Sequence, residues 1–389
     1  MNQYFGILGS HPHLSVAELA AVLPHDNRET TKEVVLFEAD ANMREISARL
    51  GGMQKLGSVI GSVYTQQELI DFLVAILAGN ASGKIRFGIS LYVLEEGELS
   101  RKISWAKDQI GIEIKKGLKR AGFPVRYVTS KEKNLSTVVS SKNHLDSTGG
   151  DIALFIDAKK IQIGQVDAIQ DFEAWSHRDY DRPGRDAWRG MLPPKLARMM
   201  LNLAQPDLST RTLLDPFCGS GTVLMEAAVL GARKIIGSDI SAEAVEDTKK
   251  GLVWLEGEGQ AMPLQEFHAS KVTNLSALID ANSVDVIVTE PFLGKPRTGR
   301  ETEEEVMQSV RDLEALYKES FTALYKLLKP GGTLVVASPV HFYKERPHAV
   351  ETREILENIG FTDIPMSEHS LLYRRAGQFV GREIMKFER

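Results

Sequence analysis

The chain reads Leu213-Leu214-Asp215-Pro216-Phe217-Cys218-Gly219-Ser220-Gly221-Thr222 at the start of its C-terminal half. In this stretch an apolar strand ends in an acid, and a tight glycine-containing loop then opens a helix. Ligands of open α/β sheets bind at the carboxyl ends of strands, and Gly219 and Gly221 let the backbone approach a ligand closely. Because an ordinary strand–turn–helix has the same outline, this stretch alone leaves a purely structural role open.

A second strand end strengthens the case for a ligand. The run Ile235-Ile236-Gly237-Ser238-Asp239 again ends in an acid, 24 residues after Asp215. A carboxylate at this place can accept both hydroxyls of a ribose. The loop has neither the Gly-x-Gly-x-x-Gly order of a dinucleotide site nor the lysine of a phosphate-binding loop. The sequence therefore predicts a nucleoside ligand without a pyrophosphate, of which S-adenosylmethionine is the common one.

The pattern of predicted elements divides the chain into four segments. From residue 211 onward strands alternate with helices, which predicts a parallel, doubly wound α/β sheet with a Rossmann-like topology. We predict a ferredoxin-like α+β domain at 1–66, a second α+β unit at 67–166, a charged linker at 167–195 and the α/β domain at 196–389. The predicted strands include residues 135–140, and residues 365–373 and 379–387 are expected to form a closing hairpin.

Composition and charge narrow the class of protein. The 389 residues are 43% hydrophobic and 25% charged, which is ordinary for globular domains and excludes a wholly disordered or fibrous chain. No apolar run reaches the roughly 18 residues of a membrane span, and the N-terminus lacks the order of a signal peptide. Cys218 is the only cysteine, which excludes a disulfide framework and a cysteine-cluster metal site. These features predict a cytoplasmic protein that needs no metal.

A local basic region stands out in an acidic chain. The net charge is −5, yet residues 101–150 hold 11 basic and 4 acidic residues. Such a region is typical of a surface that binds polyanions, although a solvated helix face gives the same spacing. The candidate RNA-binding residues are Lys115, Lys119, Arg120, Arg126, Lys131, Lys133 and Lys142.

The loop resembles the first motif of class I methyltransferases that modify exocyclic amines of bases. In that family the loop carries the methionine moiety of S-adenosylmethionine, and the acid that ends the second strand binds the ribose, a role that falls to Asp239. The family often has an acid after the third strand for the adenine amine, where this chain has Ser270. The resemblance implies a cofactor site formed by Asp215, Pro216, Phe217, Gly219, Gly221, Thr222, Asp239, Ile240 and Ser270.

The fourth predicted strand of this region ends in a second motif. The run Val288-Thr289-Glu290-Pro291-Phe292-Leu293-Gly294 stands where the family has Asp/Asn-Pro-Pro-aromatic. A gapless alignment places Glu290 on the acid, whereas a shifted register places Thr289 there, which is chemically poorer. An aryl amine is a poor nucleophile, and a carboxylate and a carbonyl that accept its N–H bonds make its lone pair available. We therefore expect Glu290, the Pro291 carbonyl and the Phe292 ring, as a stacking face for an extruded base, to be catalytic.

The N-terminal half and the linker resemble THUMP-domain tRNA guanine-N2 methyltransferases. The resemblance includes Leu14-Ser15-Val16-Ala17-Glu18-Leu19 near the N-terminus, Ser136-Thr137-Val138-Val139, and Met191-Leu192-Pro193-Pro194-Lys195 at the end of the linker. It implies methylation of the exocyclic N2 amine of a guanosine in tRNA, with the THUMP-like unit holding the tRNA. Two alternatives stay open: an amino-methyltransferase of DNA bases or ribosomal RNA, and an inactive RNA-binding homologue.

The linker contains four arginines with two possible roles. These residues either contact RNA phosphates or pair with the acidic residues between them, and pairing is favoured for at least half of the set. The arginines are Arg178, Arg182, Arg185 and Arg189.

Overall fold

The computed structural model describes residues 2–184 and 191–389, and the linker residues Arg185 and Arg189 lie outside this part of the chain. The described chain divides into two compact units. Unit 1 comprises residues 1–12, 23–49 and 53–172, and unit 2 comprises residues 13–22, 50–52 and 173–389. The mixed α/β class predicted from the sequence is confirmed.

Both units combine strands with helices. The strands are β1 (Asn2–Leu8), β2 (Asp26–Thr30), β3 (Val34–Ala39), β4 (Met53–Val63), β5 (Ile85–Val93), β6 (Val125–Tyr127), β7 (Asp151–Ile156), β8 (Ile161–Ile169), β9 (Thr212–Asp215), β10 (Lys234–Asp239), β11 (Leu264–Ala269), β12 (Val284–Thr289), β13 (Leu328–Tyr343), β14 (Arg346–Ala349), β15 (Thr362–Asp363), β16 (Leu372–Tyr373) and β17 (Val380–Glu388). The α-helices are α1 (Pro12–Val22), α2 (Met43–Arg49), α3 (Gln66–Gly79), α4 (Glu98–Arg120), α5 (Thr137–Lys142), α6 (Phe172–Ser176), α7 (Pro194–Ala204), α8 (Thr222–Val229), α9 (Ala242–Gly257), α10 (Glu303–Leu327) and α11 (Thr352–Ile359).

Unit 1 is built on one sheet with the strand order β2-β3-β1-β4-β8-β7-β5-β6. Helix α4 packs on it through Ile103, Ile110, Ile114 and Leu118, which recur at helical spacing and are fully buried. Strands from both predicted N-terminal segments take part in this sheet, and the division at residue 66 stays a prediction.

Unit 2 contains the predicted parallel sheet, with the order β11-β10-β9-β12-β13-β17-β15. The first five of these strands pair in parallel, whereas β17 lies antiparallel to β13. The chain runs outward from β9 in one direction to β10 and β11, and then crosses to β12 on the other side. The order thus reverses at β9, and the carboxyl ends of β9 and β12 lie side by side, where open α/β sheets bind ligands.

Both faces of this sheet are buried, which explains its near-continuous apolar strands. Along β9, Leu213 joins a core with α7, α8 and α9, and Leu214 joins a core with α10 and α11. Ile235 and Ile236 of β10 divide in the same way, because successive side chains of a strand point to opposite faces.

Three predicted details differ from the structure or fall short of it. The strand predicted at 135–140 is wrong, because Ser136 accepts a hydrogen bond from the Val139 amide and caps helix α5 instead. Strands β2, β14 and β15 were not predicted. The closing hairpin is present as β16 paired with β17, but residues 365–371 precede its first strand.

Membrane-spanning helices and metal-binding clusters are both absent from the described residues. No helix in these ranges has the length and apolar character to cross a membrane. No cluster of three or more histidine, cysteine or acidic side chains in the same ranges is arranged to hold a metal ion.

Candidate active site

A cavity of about 1320 Å³ lies in unit 2, at the ends of β9, β10 and β12. Most of the residues predicted to form the cofactor site and the catalytic motif line it. The lining includes Asp215, Pro216, Phe217, Gly219, Thr222, Asp239, Ile240, Ser270, Glu290, Pro291 and Phe292. Gly221 does not line the cavity, although it shapes the loop that does.

The loop after β9 requires glycine for two different reasons. Gly221 has a φ of 82°, and a Cβ there would lie 2.8 Å from the Thr248 side chain. Gly219 has a φ of 51°, but no described atom outside its immediate neighbours lies within 4 Å of where its Cβ would stand. Gly221 therefore permits close packing on α9, whereas Gly219 exposes backbone to the cavity.

Asp239 joins the first two strand ends. Its Oδ2 accepts a hydrogen bond from the Gly219 amide at 3.1 Å, and its Oδ1 accepts one from the Ser241 amide at 2.9 Å. The side chain is only partly buried and lines the cavity. Because each carboxylate oxygen has two acceptor sites, Asp239 retains capacity for a ligand's hydroxyls.

Asp215 is buried beneath the loop rather than presented at its surface. Its Oδ1 accepts hydrogen bonds from Thr289 Oγ1 at 2.7 Å and from the Phe217 amide at 3.2 Å. Burial raises the pKa of Asp215 to about 7, and the neighbouring carboxylates of Asp239 and Glu290 add to this rise. Asp215 thus links the turn after β9 to the end of β12 and takes up a proton near neutral pH.

The end of β11 offers the cavity few polar groups for a ligand. Ser270 lines the cavity, but its hydroxyl donates to the carbonyl of Lys271 at 3.2 Å. Ile240, which also lines the cavity, is 70% exposed and offers an apolar surface. Thr273 is a further hydroxyl in this wall.

The turn after β12 presents Glu290, and not Thr289, to the cavity. Thr289 is fully buried and its hydroxyl is used by Asp215. Glu290 lines the cavity, and its Oε1 accepts a hydrogen bond from Arg382 Nε of β17. Burial raises the pKa of Glu290, while the Arg382 guanidinium opposes that rise. This placement supports the gapless alignment over the shifted one.

Phe292 follows in the same turn and is 52% exposed. Its carbonyl accepts a hydrogen bond from the Tyr317 hydroxyl at 3.1 Å, which anchors the turn to α10. The anchored backbone leaves the aromatic ring at the cavity with a free surface for stacking.

Two arginines of this site were not assigned to it from the sequence. Arg382 lies 92 residues after Glu290 and has no local motif around it. Arg182, from the linker, is buried, and its Nη2 donates to Thr222 Oγ1 at 2.8 Å and to Ser220 Oγ at 3.3 Å. It therefore supports the loop after β9 and is not available to RNA phosphates.

Arg178 pairs with an acid outside the linker rather than with the acids next to it. It donates to Glu226 at 2.7 Å, and the buried Arg198 binds the other oxygen of the same carboxylate at 2.5 Å. The Arg178 guanidinium lies 4.4 Å from the centre of the Trp175 ring. These contacts fasten the chain around residue 178 to α8, the helix that the loop opens.

Cys218 is buried next to the loop. Its thiol lies 3.6 Å from the Thr248 hydroxyl, and burial raises its pKa. A thiol in this state is a poor nucleophile, so Cys218 is a packing residue.

The predicted RNA-binding residues all belong to unit 1. Lys115, Lys119 and Arg120 lie on α4, Arg126 on β6, Lys131 and Lys133 in the loop after it, and Lys142 at the end of α5. All are exposed except Lys115, which is half-buried. Helix α4 also carries Trp105, whose side chain is 92% exposed and stands one helical turn from Arg101. No motif in the sequence singles out this tryptophan.

The chain matches two protein-family models and several tRNA-modifying enzymes in sequence. The family model described as "RMKL-like, methyltransferase domain" matches residues 182–355, and the model described as "DNA methylase" matches residues 92–250. The chain is 33% identical over 151 residues to the tRNA (guanine(10)-N2)-dimethyltransferase of Methanothermobacter thermautotrophicus, a match that covers 39% of each chain. It is 25% identical over 368 residues to the enzyme of the same name from Pyrococcus abyssi, which covers 92% of each.

A third relative is matched over most of its own length. The probable tRNA (guanine(10)-N2)-dimethyltransferase of Methanothermococcus thermolithotrophicus is 30% identical over 144 residues, which are 37% of this chain and 79% of the relative. Among solved structures, TrmN from Thermus thermophilus superposes with a TM-score of 0.54 at 16% identity, covering 100% of this chain and 99% of that one. The structural match extends over both units and shows the fold.

Proposed function

Because the chain belongs to the tRNA guanine-N2 methyltransferase family, we propose that it transfers a methyl group from S-adenosylmethionine to the exocyclic N2 amine of a guanosine in tRNA. The observation that carries the proposal is the convergence of Asp239, the Gly219 backbone and Glu290 on one cavity. The relatives' names make guanine 10 the first nucleotide to test. A cytoplasmic location is part of the same proposal.

The cavity suits this cofactor chemically. S-adenosylmethionine supplies an electrophilic methyl group on a positively charged sulfur. Asp239 presents a carboxylate to the cavity, and a negative charge there favours a cation. The open backbone at Gly219 and the ribose-type acceptor at Asp239 fit the loop and ribose positions that the family uses.

The turn after β12 supplies the groups that activate the amine. Glu290 accepts one N–H of the guanine amine, and the Pro291 carbonyl accepts the other, so that the nitrogen lone pair points at the methyl group. On transfer, the nitrogen would gain the methyl group, the bond between the methyl carbon and sulfur would break, the electron pair would stay on the sulfur, and S-adenosylhomocysteine would leave. Glu290 would accept the proton that the nitrogen loses and release it to water. Phe292 stacks on the base, and most of the rate enhancement comes from positioning and electrostatic stabilisation.

The basic residues of unit 1 support tRNA as the substrate. Phosphate neutralisation supplies affinity that does not depend on sequence. The exposed Trp105, flanked by basic residues of α4, adds an aromatic surface on which an unpaired base can stack. We retain the segment 67–166 as a THUMP-like RNA-binding domain within this proposal.

The match to the DNA methylase model makes base methylation of DNA the second candidate. That match covers the loop after β9 but ends before Glu290. Competition between tRNA and duplex DNA for methyl transfer separates the two candidates, and we expect excess DNA to leave tRNA methylation unchanged.

The decisive test uses purified protein, labelled cofactor and a tRNA transcript. Nucleoside mass spectrometry should detect N2-methylated guanosine, while a synthetic tRNA with inosine at position 10 should stay unmodified there because inosine lacks the N2 amine. If both transcripts accept label equally at that position, the N2 assignment is wrong. If neither does, guanine 10 is not the target.

A further inference from the structure

Arg382 contacts the carboxylate that the proposed reaction needs. It lies on β17, opposite Pro339 of β13, and its side chain is 8% exposed. In the described part of the chain it is the hydrogen-bond partner of Glu290, and it occupies Oε1 only. The second oxygen, Oε2, bonds to no described group and belongs to a residue that lines the cavity.

We propose that Arg382 is a positioning residue for the Glu290 carboxylate: its guanidinium holds Oε1 and so keeps Oε2 directed to the exocyclic amine. The inference rests on the proposed function. It also gives a physical reason for glutamate in place of the family's aspartate. The additional methylene lets one oxygen reach the strand of Arg382 while the other stays at the cavity.

The groups around Glu290 indicate that Arg382 is what keeps its carboxylate ionised. Asp215, at the end of β9, is a neighbouring carboxyl group whose own pKa is raised by burial and, to a smaller extent, by the Glu290 charge. Tyr317 of α10 also faces it and stays neutral, because burial raises its pKa. Further charged groups line the cavity, namely Asp239, Asp247, Lys271, Lys295, Arg297 and Glu319. Of the described groups, Arg382 is the cation in direct contact with Glu290, and its charge opposes the effect of burial on the pKa of that carboxyl.

A protonated Glu290 could not accept the amine N–H and take up its proton. Removal of the Arg382 charge raises the pKa of Glu290 further, since the effect of burial is then unopposed. A smaller fraction of the carboxylate is then ionised at a given pH, and a more alkaline solution is needed to restore that fraction. Arg382 thus sets the lower pH limit of the reaction as well as the orientation of the acceptor.

The test compares Arg382→Met and Arg382→Lys with Arg353→Met. Arg353 forms an ion pair with Asp363 away from the cavity, so its substitution controls for loss of an arginine in this region. We expect Arg382→Met to lower kcat at pH 7 by roughly 10- to 100-fold, the size of one hydrogen bond to a charged group. In a plot of kcat against pH, the acid limb of this variant should shift to higher pH by about one unit or more. Arg382→Lys should show a smaller shift, and Arg353→Met should match the wild type.

A second measurement does not depend on activity. Arg382→Met leaves a buried carboxylate without its counter-charge, so adding Glu290→Gln to it should raise the melting temperature above that of Arg382→Met alone. Cofactor affinity, measured by calorimetry, should stay within about twofold of wild type in Arg382→Lys, since the lysine keeps the positive charge beside the Glu290 carboxylate.

The two proposals fail in different ways. If wild-type protein methylates no tRNA but the double variant is more stable than Arg382→Met, the proposed function is wrong and the ion pair stands as a structural contact only. If the wild type is active and Arg382→Met retains its kcat and acid limb, the positioning role is overturned. The positioning role is also overturned if Arg382→Met and Glu290→Gln have additive effects on the melting temperature.

Discussion

The two turns that form the candidate active site are held in place in different ways. Backbone amides fix much of the turn after β9: the Cys218 amide donates to the Ser238 carbonyl at 2.8 Å, and the Gly219 amide donates to the Asp239 carboxylate at 3.1 Å. The Arg182 side chain adds hydrogen bonds to two hydroxyls of the loop. The turn after β12 is fixed by side chains from distant segments, Arg382 on β17 and Tyr317 on α10.

In the proposed function, this difference separates the turn that binds the cofactor from the turn that activates the amine. Backbone amides and glycines form much of the surface of the first turn, and preorganised backbone groups suit a bound cofactor. Glu290 depends on a counter-charge, because an isolated buried carboxylate takes up a proton. Substitutions in the turn after β9 should therefore alter the affinity for the cofactor, and substitutions in the turn after β12 should alter kcat.

The largest expected effect comes from Glu290→Gln. The amide keeps the size of the side chain but cannot take up the proton, so kcat should fall by about 100-fold or more while the cofactor dissociation constant changes by less than about twofold. Single-turnover methyl transfer and calorimetry measure the two quantities. Glu304→Gln, at an exposed site on α10, is the control. If Glu290→Gln weakens cofactor binding as much as it lowers kcat, the two turns do not have separate roles in binding and reaction.

Asp239→Asn should produce the complementary result. It removes the negative charge from the ribose position and weakens the acceptor of the Gly219 amide, so cofactor affinity should fall about 10- to 100-fold. The rate at saturating cofactor should fall much less. Calorimetry with Asp280→Asn as an exposed control tests this, and unchanged affinity would contradict the placement of the ribose at Asp239.

A change in unit 1 should affect neither turn. The double variant Lys119→Gln/Arg120→Gln should weaken tRNA binding by about tenfold and reduce the slope of log K against log salt by about two. Cofactor affinity should be unchanged. Lys318→Gln on unit 2 is the control, and a salt slope equal to that of wild type would exclude both residues from the RNA surface.

The smallest effect concerns stability and pH. Burial raises the pKa of Asp215 from its ordinary 3.8 to about 7, so the folded protein binds a proton that the unfolded chain has released. The stability contributed by this proton is fully present below about pH 4 and is lost as the pH rises through about 7. Asp215→Asn should therefore gain a few degrees relative to wild type between about pH 4 and about pH 7, measured by thermal unfolding. A difference in melting temperature that is constant over this range would contradict the raised pKa.

Much of unit 2 was predictable because its information is local. Strand β9, its loop and the acid of β10 follow one another in the sequence, and the alternation of strands with helices determines a parallel sheet. Strand β14 was missed because Arg346–Ala349 is short and polar and pairs only through its neighbour β13. The 135–140 segment was misassigned because its two valines favour a strand, while one capping serine decided the helix.

The sequence by itself determined the residue types of the site: the acids that end β9 and β10, the glycines of the loop, and Glu290 followed by a proline and an aromatic ring. Only the tertiary structure decided which groups keep those residues in their working state. Arg182 beneath the loop and Arg382 on Glu290 come from segments 38 and 92 residues away from their partners. Contacts over such distances arise from sheet pairing and helix packing, which no local motif records, and they set the charge and orientation of the side chains that the motif supplies.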